Sequence, residues 1–599
     1  MTDIEDLTKL ANLPNLRPKK EYEIKDENYD KYVSIVKELW KITYEDNKHF
    51  LSILRQLRKK YKMSPKMSKL LFIYRELVNK QNFKENPSLK FCLITKKVRR
   101  LSGVMVITVL TSPYPTYKKN GKIKKQRFSC KHDCFFCPNQ KGQPRSYLKN
   151  EPAVARANRN EFNPINQFND RANTYYCVGH PVDKIELLVL GGTFSEYPIQ
   201  YQEEFVRDLF YAANVFYDNN PREPLSLIEE QKINETAKCK IIGLTLETRP
   251  DSITPDEIKR FRYYGCTRVQ IGVQHTNDEL LRIINRGCYL EDTIRAIKLL
   301  KDSCYKIDIH LMPDLPFSTP ELDNEMFDMV LDSPDLQVDQ WKIYPCEVVP
   351  WTIIKKWHNE GEYESYGEEK LIEVILNVKR KVHPWIRLNR VIRDIPNEYI
   401  SGGNDITNLR QYLIQMLKDR GEKCKCIRCR EIKDKNIDPN TAKLIVRTYP
   451  ASDGTEYFIS YETPDEDTIF GFVRLRLVKN SSVDFIPEIE DAALIRELHI
   501  YGSMRPVFKF KNDDSKVQHA GFGKRLMKKA EEIAISQGYK KIVVISGIGV
   551  KNYYRKLGYK SEGTFMVKKF KTFKDYSLDV IYFILCIIVG IIIALNMKD

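Results

Sequence analysis

The sequence predicts an α/β protein: a partial TIM barrel, then a second, smaller α/β domain, and finally a C-terminal transmembrane helix. Three observations carry this reading. Between about residues 185 and 345, short β-branched runs alternate with helix-length amphipathic stretches such as Gln202–Asn214 and Glu291–Lys301. Strand–helix alternation of this kind argues for a parallel sheet or α/β barrel. A fresh α/β pattern starts near Val446 and runs to Phe570. Val580 to Leu595 (VIYFILCIIVGIIIAL) is sixteen residues without a charge.

Composition sets the bounds. A chain of 599 residues has room for about three or four domains. With 42% hydrophobic and 30% charged residues it is globular, which excludes the disordered and fibrous classes. The net charge of +18 (98 Lys and Arg against 80 Asp and Glu) suits a polyanionic partner such as nucleic acid, with a solubilising lysine-rich surface as the alternative. Fourteen cysteines include two tight groups, which fits metal binding in a reducing compartment better than a disulfide framework. The acidic start, MTDIED, lacks the apolar core of a signal peptide.

Taken in order, residues 1–50 are polar and carry no motif. From Arg55 to Arg100 the pattern is helical and basic, so residues 1–100 form a basic, RNA-binding helical region or, alternatively, a solvated charged face. Lys118, Lys119, Lys122, Lys124, Lys125 and Arg127 continue the positive charge into the cysteine loop. The core at 101–400 holds the strand runs Ile185–Leu190, Lys240–Leu246, Arg268–Gly272, Ile307–Leu311 and Gln340–Ile343. Each ends in glycines or polar residues, where such barrels place their chemistry. A linker, 401–435, contains Cys424, Cys426 and Cys429, whose C-x-C-x2-C spacing suits zinc if a fourth ligand exists, or else marks buried free thiols. The second domain occupies 436–571. A bilayer span needs roughly 20 apolar residues. The final run, extended over 578–596 and preceded by Lys568, Lys569, Lys571 and Lys574, reads as a tail anchor with its lysines in the cytosol. A buried core helix is the alternative, but the run has no polar face.

Two motifs carry chemistry. Cys130-Lys-His-Asp-Cys134-Phe-Phe-Cys137 spaces its cysteines C-x3-C-x2-C. Three thiolates on one loop hold three irons of a [4Fe–4S] cluster and leave the fourth open. With an aromatic residue just before the third cysteine, the loop resembles that of radical S-adenosylmethionine enzymes. Gly191 and Gly192, at the next strong strand end, let backbone approach the amino group of the S-adenosylmethionine methionine. Glu247 and Arg249, one strand later, are candidates for its ribose and carboxylate, with a structural ion pair as the alternative. The second motif, Gln518-His-Ala-Gly521-Phe522-Gly523-Lys524-Arg525, opens a helix with Leu526, Ala530, Ile533 and Ala534 on one face. Such a turn offers free N–H groups and a positive helix end to a pyrophosphate. It resembles the acetyl-CoA loop of GNAT acetyltransferases, and Asn552-Tyr553-Tyr554-Arg-Lys-Leu-Gly558-Tyr559 matches the closing part of that fold.

Over about residues 65–570 the chain resembles the catalytic subunit of the Elongator complex and its archaeal, bacterial and viral relatives. The resemblance rests on VDKIELLVLGGTF (182–194), IGLTLETRPD (242–251), GCTRVQIGVQ (265–274), HLMPDLP (310–316), RDIP (393–396), RELHIYGS (496–503), the 518–534 helix and NYYRKLGY (552–559). It implies synthesis of 5-carboxymethyluridine at the wobble uridine of tRNA. In that scheme a radical made at Cys130, Cys134 and Cys137 activates the acetyl methyl of acetyl-CoA, the acetyl unit adds to C5, and thioester hydrolysis releases CoA. Carried over residue by residue, Lys184 contacts acetyl-CoA from the radical domain. Glu497-Leu498-His499-Ile500 and Phe522-Gly523-Lys524-Arg525 hold it by their backbones, and Tyr554, in preference to Tyr553, faces the thioester. Implied partners are tRNA and acetyl-CoA, other Elongator subunits or a second copy, and a membrane of the endoplasmic reticulum or mitochondrial surface through the tail. The sequence departs from the family in its short first cysteine gap, in PNQKGQP after Cys137, and in the tail, which most members lack. A competing reading is a GNAT-type protein (histone) lysine acetyltransferase with a structural iron–sulfur cluster and Glu497 as its candidate base. Another is a membrane-tethered tRNA-binding protein with little turnover.

Overall fold

The computed structural model describes residues 26–80, 83–95, 103–218, 220–406, 408–433, 435, 437–479, 481–501 and 521–570. Four helices, Asp26–Trp40, Asn47–Lys60, Met67–Lys80 and Pro87–Leu93, open the described chain. Asp46 caps the second by accepting from the His49 N–H at 2.7 Å. Their apolar stripes meet in a core of their own that includes Ile35, Leu39, Phe50, Leu54, Leu70 and Tyr74. Arg75 ties this bundle to the next domain, donating to the Tyr176 carbonyl at 2.9 Å with its guanidinium 4.1 Å from that ring.

The second unit is a seven-stranded, all-parallel sheet. Its strands are β1 (Met105–Leu110), β4 (Lys184–Leu190), β5 (Lys240–Thr248), β6 (Arg268–Gln274), β7 (Lys306–Leu311), β8 (Gln340–Ile343) and β9 (Arg387–Arg390), adjacent in that order. An exposed hairpin, β2 (Thr116–Lys119) and β3 (Lys122–Lys125), lies between β1 and β4 in sequence. Runs such as VQIGV in β6 are buried on both faces, because helices cover one side and the curved sheet encloses the other. The helices Ile199–Val215 and Leu290–Asp302 supply part of that cover.

The third unit is a second seven-stranded sheet: β10 (Lys443–Ala451), β11 (Gly454–Glu462), β12 (Ile469–Leu477), β13 (Ala493–Ile500), β14 (Lys541–Val544), β15 (Lys560–Glu562) and β16 (Phe565–Lys569). Its strand order is β10-β11-β12-β13-β14-β16-β15, and only β13–β14 is parallel. The helix Phe522–Ser536 buries Leu526, Ala530 and Ala534 against it, with Ile533 at the margin of the same core.

Charges without solvent join the two sheets. Arg496 of β13 pairs with Asp339 before β8 at 2.6 Å and with Glu456 of β11 at 2.8 Å, and all three are fully buried. Arg476 reaches Asp302 at 2.5 Å, and Lys301 reaches Glu456 at 3.2 Å. Such pairs persist without water only because each lone pair and N–H finds a partner. Among the described residues no helix is long and apolar enough to cross a membrane. The expected membrane segment, 578–596, and Gln518 lie outside the described residues.

Candidate functional site

The loop Cys130–Cys137 borders a cavity of about 440 Å³ at the C-terminal ends of the parallel strands. Its backbone is fixed on both sides. Phe135 N–H donates to the Ile284 carbonyl, and the Phe135 carbonyl accepts from Ile353 N–H, both at 3.0 Å. The Phe135 ring meets Trp357 edge-on at 5.3 Å. The Cys134 sulfur accepts from Arg286 Nη1 at 3.6 Å and Arg249 Nη1 at 4.0 Å, and the Cys130 sulfur lies 3.5 Å from Thr193 Oγ1. Burial, then the neighbouring Cys134 and Cys130, push the Cys137 thiol up. Among the described residues only Cys424, Cys426 and Cys429 bring three such ligand atoms within 4.8 Å of one another. The sulfurs of Cys130, Cys134 and Cys137 are thus too dispersed for one ion as they stand. A multi-iron cluster takes one thiolate per iron and does not require the three sulfurs within reach of a single ion.

Gly191 and Gly192 end β4 at φ +136° and +101°. A Cβ on Gly191 would sit 1.9 Å from Thr111 Oγ1, so β1 and β4 close on each other only with glycine there. Glu247 is half-buried, accepts from Tyr147 OH at 2.9 Å and faces His310 Nδ1 at 3.5 Å; desolvation raises its acid, opposed by Lys342. Arg249 is an ion-pair residue, held by Asp251 at 2.8 Å and by the Arg286 carbonyl at 2.9 Å, while its Nη1 points at the Cys134 sulfur.

A second site opens at the far end of the enclosed space. β13 pairs with β12 as far as Ile500, but with β14 only through Ile495↔Val544. Beyond that point the two strands part, and among the described residues the edge of Glu497, Leu498, His499 and Ile500 that faces β14 has no strand partner. An extended amide-bearing arm can hydrogen-bond such an edge. Gly521, at φ +71°, starts the helix whose first turn holds Phe522, Gly523 and Lys524 and no acid, an arrangement of N–H groups that suits an anion. Phe522 is anchored under Tyr461, with ring centroids 4.6 Å apart, and Arg525 lies 4.7 Å over the same ring. Tyr553 OH reaches the same helix start: a Cβ on Gly523 would meet it at 2.6 Å. Tyr554 is buried in the sheet core, its phenol raised by burial, with Tyr553 and Glu497 among its neighbours. Lys184 is exposed at the start of β4 and pairs in register with Lys240. Gly549, just before the tyrosines, packs on that same Lys240, where a Cβ would meet the lysine Cβ at 2.6 Å.

Between the two sites the barrel interior is polar. Lys342, on the cavity wall, donates to Gln270 at 2.6 Å; Gln270 bonds Asp308 at 3.1 Å, and Asn389 bonds Asp308 at 2.9 Å. Arg268 links Gln340 at 2.8 Å to Glu186, and Lys306 reaches Glu497 at 3.9 Å. Burial pulls Lys342 down to about 8, opposed by Asp308 and Glu247. Burial likewise pushes Glu347, another wall residue, up to about 8, opposed by Arg393. Arg286, Tyr147, His310, Lys342, Glu347 and Arg393 are cavity residues that the motif search did not assign. Two of them lie inside quoted blocks, His310 in HLMPDLP and Arg393 in RDIP, which was the available signal.

The second cysteine group is compact. Cys424, Cys426 and Cys429 sit beside Lys379, whose Nζ lies 4.0 Å from the Cys429 sulfur. Burial opposes ionisation of Cys426, yet hydrogen bonds from Cys424 and Cys429 hold its thiol well below the ordinary value.

Comparison with known proteins agrees with both halves. Residues 128–324 match the Radical SAM superfamily, 338–419 the Radical_SAM C-terminal domain, and 431–559 the Acetyltransferase (GNAT) family. The chain is 41% identical over 488 residues to "tRNA uridine(34) acetyltransferase" of Methanocaldococcus infernus, covering 79% of this chain and 87% of that protein. It is 37% identical over 492 residues to human "Elongator complex protein 3", covering 80% and 86% respectively. The solved structure of Methanocaldococcus infernus Elp3 lacking residues 1–46 superposes with a TM-score of 0.65 at 38% identity, covering 78% of this chain and all of that one. The chain therefore belongs to the family of tRNA uridine(34) acetyltransferases and Elongator complex protein 3.

Proposed function

We propose that this protein is a tRNA-modifying radical S-adenosylmethionine enzyme that uses acetyl-CoA to form 5-carboxymethyluridine at the wobble uridine. The observation that carries the proposal is the joining of two unlike sites by one polar barrel interior. A three-cysteine loop lies at the open end, and a splayed, anion-ready strand–helix edge lies at the other. With a [4Fe–4S] cluster and S-adenosylmethionine bound, the first site supplies a carbon radical able to abstract hydrogen. Cys130, Cys134 and Cys137 would hold the cluster. Arg286 and Arg249 donate to the Cys134 sulfur, and Gly191 and Gly192 clear the approach to the cofactor. At the second site β13 and the Phe522–Ser536 helix start grip acetyl-CoA, and Lys184 and Tyr554 flank it. The exposed lysines of β2 and β3 and the basic N-terminal helices guide the RNA backbone. The domain bounds that go with this function are 1–100, 101–400, 401–435 and 436–571.

Three finer assignments accompany it. Cys424, Cys426 and Cys429 supply three ligands of a tetrahedral ion, for which zinc is the natural choice. Residues 578–596 anchor the protein in a membrane of the endoplasmic reticulum or mitochondrial surface, with the enzyme in the cytosol. Partner subunits or a second copy assemble on it as in Elongator. The rival lysine acetyltransferase reading is disfavoured because Glu497, its candidate base, is engaged by Arg474 at 3.0 Å and Lys306 at 3.9 Å. Anaerobic reconstitution with S-adenosylmethionine, acetyl-CoA and tRNA, followed by nucleoside analysis, tests the proposal. Carboxymethyluridine is expected; acetyl-lysine on a protein substrate without it would overturn the reading.

A further inference from the structure

Glu347 sits four residues past β8, on the cavity wall. Its backbone is held: the Val348 N–H donates to the Gly402 carbonyl and the Ser401 N–H to the Val348 carbonyl, both at 2.9 Å. The side chain is 6% exposed, and both carboxyl oxygens are buried without a hydrogen-bond partner. The nearby cation does not serve it, since Arg393 donates to Glu151 at 2.9 Å and to the Ser146 carbonyl. A doubly unsatisfied buried carboxyl on a cavity wall calls for a ligand that brings hydrogen bonds with it.

We infer that the Glu347 carboxyl holds the N3–H edge of the target uracil, leaving C5 free within the cavity that the cysteine loop borders. The inference rests on the tRNA-uridine function proposed above. In strand order the glycine pair closes the second strand and Glu347 follows the sixth, so the two reach the one cavity from different strands. Chemistry at C5 leaves the opposite edge of the ring as the handle, and a base worked on in this way must leave its stack and enter a pocket. That edge presents a donor, N3–H, beside a carbonyl acceptor. A buried carboxyl that keeps its proton offers the matching acceptor and donor. Four residues further on, Trp351 is 48% exposed at φ +61°, with its ring 6.1 Å from Tyr399. An aromatic pair whose exposed member lies so close in the chain to Glu347 suits the bases that flank a flipped nucleotide.

The test uses anticodon stem–loop RNAs carrying uridine or N3-methyluridine at the modified position, with the full chain. Binding is measured on every variant, and product on the reconstituted enzyme. The wild type should bind and convert uridine RNA in strong preference to N3-methyluridine RNA. E347A should lose about tenfold to hundredfold on uridine RNA and lose nothing further on the methylated one, so that the preference collapses. E347Q should stay within a few-fold of wild type, because the amide offers the same acceptor and donor. Affinity for S-adenosylmethionine should be unchanged in both, which also certifies their folding. Equal wild-type binding of the two RNAs, an unchanged preference in E347A, or weakened S-adenosylmethionine binding in step with the RNA defect would overturn the inference. A wild type that shows the binding preference yet forms no carboxymethyluridine would sink the reaction proposed above and leave Glu347 as a base contact.

Discussion

Replacing Arg496 by Met removes the centre of the buried network between the sheets. Arg496 donates to both Asp339 oxygens at 2.6 and 2.7 Å, to Glu456 at 2.8 Å, and to the Tyr305 carbonyl at 2.9 Å. After substitution Asp339 keeps the Ile307 N–H at 2.9 Å and Arg474 at 3.5 Å, while Glu456 keeps Lys301 at 3.2 Å. Both carboxylates stay buried with weakened compensation, so the loss belongs in the range for breaking a buried pair, about 3–5 kcal/mol. Urea unfolding read by tryptophan fluorescence measures it, because Trp385 stacks 4.4 Å from Tyr449 at this junction and its carbonyl accepts from Arg474 at 2.7 Å. The pH dependence gives a second reading. Burial raises the Glu456 acid, but Arg496, Lys301 and Arg476 outweigh it and bring the value from 4.5 to about 2. The folded value lies below the unfolded one, so this stabilisation is complete above about 4.5 and disappears as pH falls toward about 2. R496M should lose less stability over that interval than wild type. A variant within about 1 kcal/mol of wild type, with the same acid profile, would refute the assignment of this network as the weld between the domains.

Substituting Cys134 by Ala should abolish the radical-dependent product while RNA binding stays near wild type, measured by nucleoside analysis and gel shift; equal product would contradict cluster chemistry at this loop. G523V drives a side chain into the space where Tyr553 OH already lies 2.6 Å from an added Cβ. Its acetyl-CoA affinity, read by calorimetry, should fall at least about tenfold with S-adenosylmethionine binding unchanged. Y554F should lower product formation with little change in acetyl-CoA affinity if the phenol acts on the thioester, whereas the same result from Y553F alone would move that role to Tyr553.

The parts legible in the sequence were those that burial writes as runs. Ile185–Leu190 and Gln340–Ile343 are apolar or two-face-buried strands, and the structure extends or reproduces them as β4 and β8. β1, MVITVL, stands apart from the alternating run because it precedes the cysteines and lies between basic stretches, although it pairs with β4 along its whole length. β9, RLNR, has no apolar run at all. Its Arg387 and Asn389 face the polar interior, bonding Tyr501 at 3.0 Å and Asp308 at 2.9 Å. The same logic hid Arg286, a lone arginine in a helix-to-helix turn whose meeting with Cys134, 152 residues away in sequence, exists only after folding. Gly191 and Gly192 could be read early because a strand end followed by a glycine pair already implies a close approach, here that of Thr111.

The polar interior bears on how the two sites act as one. Parallel barrels ordinarily fill their lumen with branched apolar side chains. Here Arg268, Gln270, Asp308, Gln340, Lys342 and Asn389 occupy it, bonded to one another. Each buried polar group is costly unless paired, so a core of this kind is a poor way merely to stabilise a sheet. The column begins at Lys342 on the wall of the cysteine cavity and reaches Glu497, where β13 parts from β14. Nearby, Asp339 and Arg496 fix the two sheets against each other. A weld of that strength holds one site at a constant distance from the other, and the polar lining offers hydrogen bonds to a thioester carbonyl that an apolar lumen would deny. Loosening the weld by R496M should therefore uncouple the reactions before it unfolds the chain: S-adenosylmethionine cleavage would continue while carboxymethyluridine falls. Parallel loss of both would mean that Arg496 serves folding alone.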